Sequence, residues 1–134
     1  MAKLSEKVVE IFSPTCNADT VKDGRGGIFT WVPPDAIMEF NMLYFTPGAS
    51  RGHHRHPEFV EYSLIVEGSA IVVTKDAPSM KERVIHVSNG SCIRTPKGVT
   101  HTIHAITNLT VITMLTKPWD DCRNPIIREN ILKK

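Results

Sequence analysis

The stretch Gly48-Ala49-Ser50-Arg51-Gly52-His53-His54-Arg55-His56-Pro57-Glu58-Phe59-Val60-Glu61, closed by Gly68, concentrates imidazole and carboxylate chemistry in one short segment. His54 and His56 are two apart, so on an extended strand their side chains leave the same face and can reach one ion. Glu61 follows a turn begun by Pro57 and heads the apolar run Tyr62-Ser63-Leu64-Ile65-Val66. A second strand can therefore return an oxygen donor beside two nitrogens. Further on lies Gly90-Ser91-Cys92-Ile93-Arg94-Thr95-Pro96-Lys97-Gly98-Val99-Thr100-His101. Gly90 and the Pro96-Lys97-Gly98 turn bracket a short strand, and His101 opens the next, adding a third imidazole. Three histidines and a carboxylate form a mixed nitrogen and oxygen set that suits Zn, Ni, Fe, Mn or Cu better than Ca or Mg.

Around these segments the pattern is of the strand kind. Short runs rich in Val, Ile, Thr and aromatic residues predict strands over 7–12, 29–32, 37–45, 59–66, 70–74, 83–87, 91–95, 101–107 and 111–115. Many short strands separated by turn residues argue for an antiparallel sandwich or barrel. A helical pattern is conceivable only after Pro125. The 134 residues, 41% of them hydrophobic, suffice for one domain with a full core. Its expected parts are N-terminal strands over 7–32, a barrel over 37–115 and a C-terminal arm over 117–134. The runs Ile37–Phe45 and Ala70–Val73 are largely apolar on both faces rather than cleanly alternating, which calls for a sheet covered on both sides or for a partner subunit.

Bulk properties exclude several classes. A net charge of +2, spread along the chain, leaves no basic stripe to neutralise nucleic-acid phosphates. Cys16, Cys92 and Cys122 form neither a paired framework nor a C-x-x-C motif, as expected of a reduced, cytoplasmic protein. The first ten residues carry no apolar signal region, and no run is long enough to span a membrane.

The two segments read G-x5-H-x-H-x4-E-x6-G from Gly48 and G-x5-P-x-G-x2-H from Gly90, and this pair of patterns resembles the two cupin motifs. The resemblance implies an all-β double-stranded β-helix, a jelly-roll barrel with antiparallel strands. It also implies one divalent transition metal (Zn, Ni, Fe or Mn) held by His54, His56, Glu61 and His101, and a homodimer. Ala105 departs from the Asn usual in the second motif, a position that is not a ligand in the family. The tail Pro118–Ile127 is then a candidate arm across the dimer interface.

Asp23-Gly24-Arg25-Gly26, together with Arg51-Gly52-x-His54-x-His56, is similar to the sugar-nucleotide epimerases and ketoisomerases, relatives of dTDP-4-dehydrorhamnose 3,5-epimerase. That similarity implies an isomerase or epimerase of carbohydrate and polysaccharide metabolism, acting on a nucleotide-linked keto-sugar. Arg25 and Arg51 would hold the substrate's anionic end, a role suited to the planar guanidinium. Proton abstraction beside the carbonyl needs a base; Tyr44, His104 and Tyr62 are candidates, with Tyr44 preferred. Strand parity places His53 opposite His54 and His104 opposite His101, away from the pocket, and His86 is an ordinary strand residue. Two other readings are open: an iron cupin that activates O2, and a non-enzymatic cupin that binds a sugar or other small molecule.

Overall fold

The computed structural model describes residues 7–14, 22–76 and 81–129. Cys16 and the last residues of the arm lie outside them. Twelve strands are present among the described residues: β1 (Glu10–Phe12), β2 (Lys22–Asp23), β3 (Gly26–Gly27), β4 (Glu39–Phe45), β5 (Ser50–Arg55), β6 (Glu61–Glu67), β7 (Ser69–Asp76), β8 (Lys81–Ser88), β9 (Cys92–Thr95), β10 (Thr100–Ala105), β11 (Leu109–Leu115) and β12 (Ile127–Arg128). Two five-stranded antiparallel sheets, ordered β1-β9-β6-β11-β4 and β12-β5-β10-β7-β8, face each other as a jelly roll; β2 and β3 form a separate hairpin. No helix of the described residues is long and apolar enough to cross a membrane.

Alternation explains which side of each strand turns inward. On β11, Leu109, Val111, Thr113 and Leu115 are buried while the residues between them are only partly so. On β4 the inward set is Leu43 and Phe45, with Asn41, and the outward set is Phe40, Met42 and Tyr44 at 73%, 57% and 66% exposure. The double-sided apolarity of this run thus has one face in the barrel and one face bare. Over β6 and β9 the outer face is covered by the N-terminal segment. Phe12, Trp31 and Ile37 pack there on Val60, Tyr62 and Cys92. Asp35 fixes that layer by accepting from the Tyr62 hydroxyl at 2.6 Å and from Arg94 Nε at 2.9 Å.

Inside, each strand changes character along its length. Phe45, Ile65, Ile103, Ala105, Leu109 and Val111 form one closed apolar core with Val72 and Val87. Toward the other end the same strands turn Asn41, Ser63, Glu61, His101 and Thr113 inward. These side chains do not fill the barrel, and a cavity of about 580 Å³ remains.

Several expectations need correction. The run over 29–32 forms only an isolated bridge at Thr30, because Pro33 and Pro34 lack the N–H that a continuing ladder needs. β5 is a full strand that the apolar-run criterion passed over, since Ser50-Arg51-Gly52-His53-His54-Arg55 has almost no hydrophobic residue. After Pro125 the described chain is strand β12 rather than helix. The tail lies on its own barrel: a 3-10 turn over Trp119–Asp121 leads to β12, which pairs with β5.

Gly52 permits the fit of β5 against β10. Its φ of +124° lies outside the range of L side chains, and a Cβ would stand 2.6 Å from both the His101 carbonyl oxygen and Thr102 Cα. Gly52→Ala is therefore expected to lower stability by about 2–3 kcal/mol in urea unfolding and to displace His54 from His101.

Candidate metal and sugar-binding site

His54, His56 and His101 converge at the polar end of the barrel, with ligand nitrogens all within 4.8 Å of one another. Their arrival depends on a β-bulge. His101 pairs with His54 but Thr102 pairs with Gly52, so His53 is an extra residue in β5, and its φ of 55° is the only positive value at a non-glycine among the described residues. His56 lies just beyond β5, fixed by Gly98 N–H donating to its carbonyl at 2.9 Å. Glu61 enters from β6 in the opposite sheet, its Oε1 3.3 Å from His101 Nε2 and its Oε2 3.7 Å from His56 Nε2.

Backbone carbonyls set the imidazole orientations. His56 Nδ1 donates to Pro125 O at 2.9 Å and His101 Nδ1 to Val99 O at 3.0 Å, which turns both Nε2 atoms toward the cluster. His56 Nε2 and His54 Nδ1 are buried with no hydrogen-bond partner. Orphaned nitrogens and oriented imidazoles are what a transition-metal ion requires, and the three histidines meet its spacing, with the Glu61 carboxylate against two of them.

Electrostatics agree with that donor set. Burial, assisted by the His101 and His56 charges, lowers the His54 pKa to about 3; burial is also the main cause of the lowering at His56. Both are therefore neutral, ligand-competent imidazoles at pH 7. Burial also disfavours charge on His101 and Glu61, but their hydrogen bond and mutual attraction outweigh it, raising the first and lowering the second.

Not every expected residue reaches this cavity. Arg51 lines it, its guanidinium 5.9 Å from the Phe45 ring. Arg25 sits in the exposed turn of the β2–β3 hairpin and is not among the lining residues. Tyr44 must be corrected: Leu43 and Phe45 take the inward parity, so Tyr44 points from the outer face. Tyr62 is likewise on the outer side, bound to Asp35, and His104 hydrogen-bonds Ser50 Oγ at 2.7 Å outside the cavity lining. His53 does line the cavity, because the bulge breaks the parity that would have excluded it, and its Nδ1 is buried without a partner.

Three lining residues, Trp119, Ile126 and Arg128, come from the C-terminal arm and were not anticipated. Glu58 holds the arm by accepting from Asn124 N–H and pairing with Lys117 at 3.0 Å. Glu129 holds it further on, accepting from Thr100 Oγ1 at 2.8 Å while its own N–H donates to His53 O at 2.7 Å.

Residues 21–122 match the family model described as polysaccharide biosynthesis C-terminal domain. The chain belongs to that family. No curated protein matches the sequence significantly. Among solved structures, a 3,4-ketoisomerase from Helicobacter canadensis aligns with a TM-score of 0.75 at 18% identity, over 90% of each chain. The 3,4-ketoisomerase QdtA from Thermoanaerobacterium thermosaccharolyticum, in complex with TDP, aligns at 0.75 and 15% identity over 90% of this chain and 88% of that one. ChmJ, a 3'-monoepimerase from Streptomyces bikiniensis in complex with dTDP-quinovose, aligns at 0.73 and 18% over 88% and 68%. These matches make the fold that of the RmlC-like cupins, the all-β jelly roll expected from the motifs.

In this member of the polysaccharide biosynthesis C-terminal domain family, the neutral histidines tie stability to pH. His54 protonates near 3 when folded and near 6.5 when unfolded, so the folded state binds fewer protons between these values. Its contribution is complete above about pH 6.5 and is lost progressively as the pH falls toward 3. Urea midpoints of chelator-treated protein should thus decline from pH 6.5 to 5, and the decline should be shallower in His54→Asn.

Proposed function

We propose that this chain is a metal-dependent cupin that isomerises or epimerises a nucleotide-linked keto-sugar by moving a proton on the carbon beside the carbonyl. The observation that carries this reading is the convergence of His54, His56 and His101, with buried unpartnered nitrogens and Glu61 against two of them, in one open cavity. The family description and the sugar-nucleotide enzymes among the structural neighbours support it. The cavity volume of about 580 Å³ is in the range of small-molecule sites.

His54, His56, His101 and Glu61 would hold one divalent transition ion (Zn, Ni, Fe or Mn). When bound, such an ion supplies Lewis-acid polarisation of the substrate carbonyl and stabilises the enolate charge. Asn41, Ser63 and Thr113 supply hydrogen-bonding groups to the hydroxyls of a sugar, and Trp119, 38% exposed, offers it an apolar ring face. Proton transfer falls to His53. Of the titratable groups lining the cavity, it alone is neither a member of the ligand set nor an arginine.

One observation favours a metal-free variant. With Nδ1 donating to Val99 and Nε2 facing Glu61, His101 forms a protonated couple, which would leave neutral His54 as the base. Elemental analysis of untagged protein separates the two. In the metal-dependent reading, His56→Ala or Glu61→Gln loses metal while retaining the fold, with an affinity drop beyond the about 10–100-fold that outer partners of a ligand cost. His53→Ala keeps its metal and loses turnover by about 100-fold or more. Sub-stoichiometric metal with turnover unchanged after chelation would establish the metal-free variant instead.

The bare apolar face of β4 is assigned to a second copy of the chain, in a homodimer. Cys92 and Cys122 are free thiols, which favours a reducing, cytoplasmic setting. Light scattering should give twice the chain mass for the native protein and the monomer mass for the Phe40→Glu, Met42→Glu double variant, with circular dichroism unchanged.

A further inference from the structure

We propose that Arg128, carried into the cavity by the C-terminal arm, acts with Arg51 as a two-guanidinium clamp for the diphosphate of a nucleoside-diphosphate ligand. The placement follows from register. Arg128 pairs with His54 across β12 and β5, and His54 pairs with His101 across β5 and β10. Directly paired residues in antiparallel strands share a face, so the Arg128 side chain stands in line with the two histidines on the cavity side. Arg51 is paired with Ile103, another lining residue, and reaches the same cavity farther along β5.

Charge pairing distinguishes these two arginines from their neighbours. Arg55 has Glu129 at 3.8 Å, and Arg94 has Asp35 at 2.9 Å. Among the described residues, Arg51 and Arg128 have no carboxylate partner. The cavity's one carboxylate, Glu61, is committed to His101 and His56. Two uncompensated cations therefore face one space, an arrangement that attracts an anion.

Arg128 is also held in place. The arm is anchored before it by Glu58 and by Pro125 on His56, and immediately after it by Glu129 on Thr100 and on the His53 carbonyl. A guanidinium fork donates two parallel hydrogen bonds to phosphoryl oxygens, so two forks match the two phosphoryl groups of a diphosphate better than one carboxylate. With Arg25 outside the cavity lining, Arg128 supplies the second cation. The inference rests on the nucleotide-sugar reading of this cavity.

Isothermal titration of the metal-loaded full-length chain with UDP, dTDP, inorganic pyrophosphate and the free nucleosides tests it. The nucleotides and pyrophosphate should bind. Arg128→Ala should weaken them at least tenfold, with unchanged metal content and unchanged affinity for free nucleosides. Arg128→Lys should fall between, and Arg123→Ala, on an exposed part of the arm, should match the native chain. Native-like diphosphate affinity in Arg128→Ala, metal loss in that variant, or failure of all three diphosphates to bind the native chain overturns the clamp. A tenfold loss in Arg128→Ala with no turnover of any keto-sugar nucleotide keeps the clamp and removes the isomerase reading. Turnover whose KM is unchanged by Arg128→Ala does the reverse.

Discussion

The pairing of His54 with His101 is the constraint on which the open half of this barrel depends. It exists because β5 carries one residue more than its partner. A regular ladder continued from Arg51 opposite Ile103 would bring His53 opposite His101 and turn His54 to the outer face. The extra residue restores the inward direction for His54, at the cost of a left-handed conformation at His53 and a side-chain-free position at Gly52. Close approach of the two backbones is thus converted into close approach of two imidazoles. His56 and Glu61 then reach the same point from the end of β5 and from the facing sheet.

Division of labour along the strands makes such a site tolerable. The closed end of the barrel is filled by Phe45, Ile65, Val72, Ile103 and Val111, which bury apolar area without polar obligations. The open end contains groups that a hydrophobic core cannot absorb: two neutral imidazoles, buried at His56 and half-buried at His54, and a coupled His101–Glu61 pair. Burying charge is costly unless it is paired, and here each charged member of the cluster has its counterpart within 4 Å. The orphaned nitrogens are the part left unsettled by the protein itself. A bound ligand or ion would settle them.

Much of this centre was legible in the sequence because it is local. Two histidines at a strand spacing, a carboxylate at the head of an apolar run and a histidine after a Pro-x-Gly turn define their own directions. Parity likewise kept His104 out of the cavity correctly. It failed where it had to be extended without an anchor. Ile37–Phe45 carries apolar residues on both faces, and its two polar residues, Glu39 and Asn41, share the parity of Leu43, so nothing local states that Leu43 rather than Tyr44 faces inward; that choice is made by the registry of β4 with β11. His53 was misplaced for the opposite reason, since a bulge is a property of two strands and only Gly52 hints at it.

The arm was the least legible element, yet it supplies Trp119, Ile126 and Arg128 to the cavity. Its hold on the barrel combines the two-residue pairing of β12 with β5 and single contacts between distant residues: Glu58 with Asn124, His56 with Pro125 and Thr100 with Glu129. None produces a periodic pattern. Yet the same contacts give the arm a double function, because the Pro125 carbonyl that anchors it also fixes the tautomer of His56. Orientation of a cluster histidine and closure of the cavity roof by Trp119, Ile126 and Arg128 are therefore one structural event. An arm that was loosened would change the outer boundary of the site and free an imidazole in its floor together, so the roof and the floor of this cavity are not independent parts.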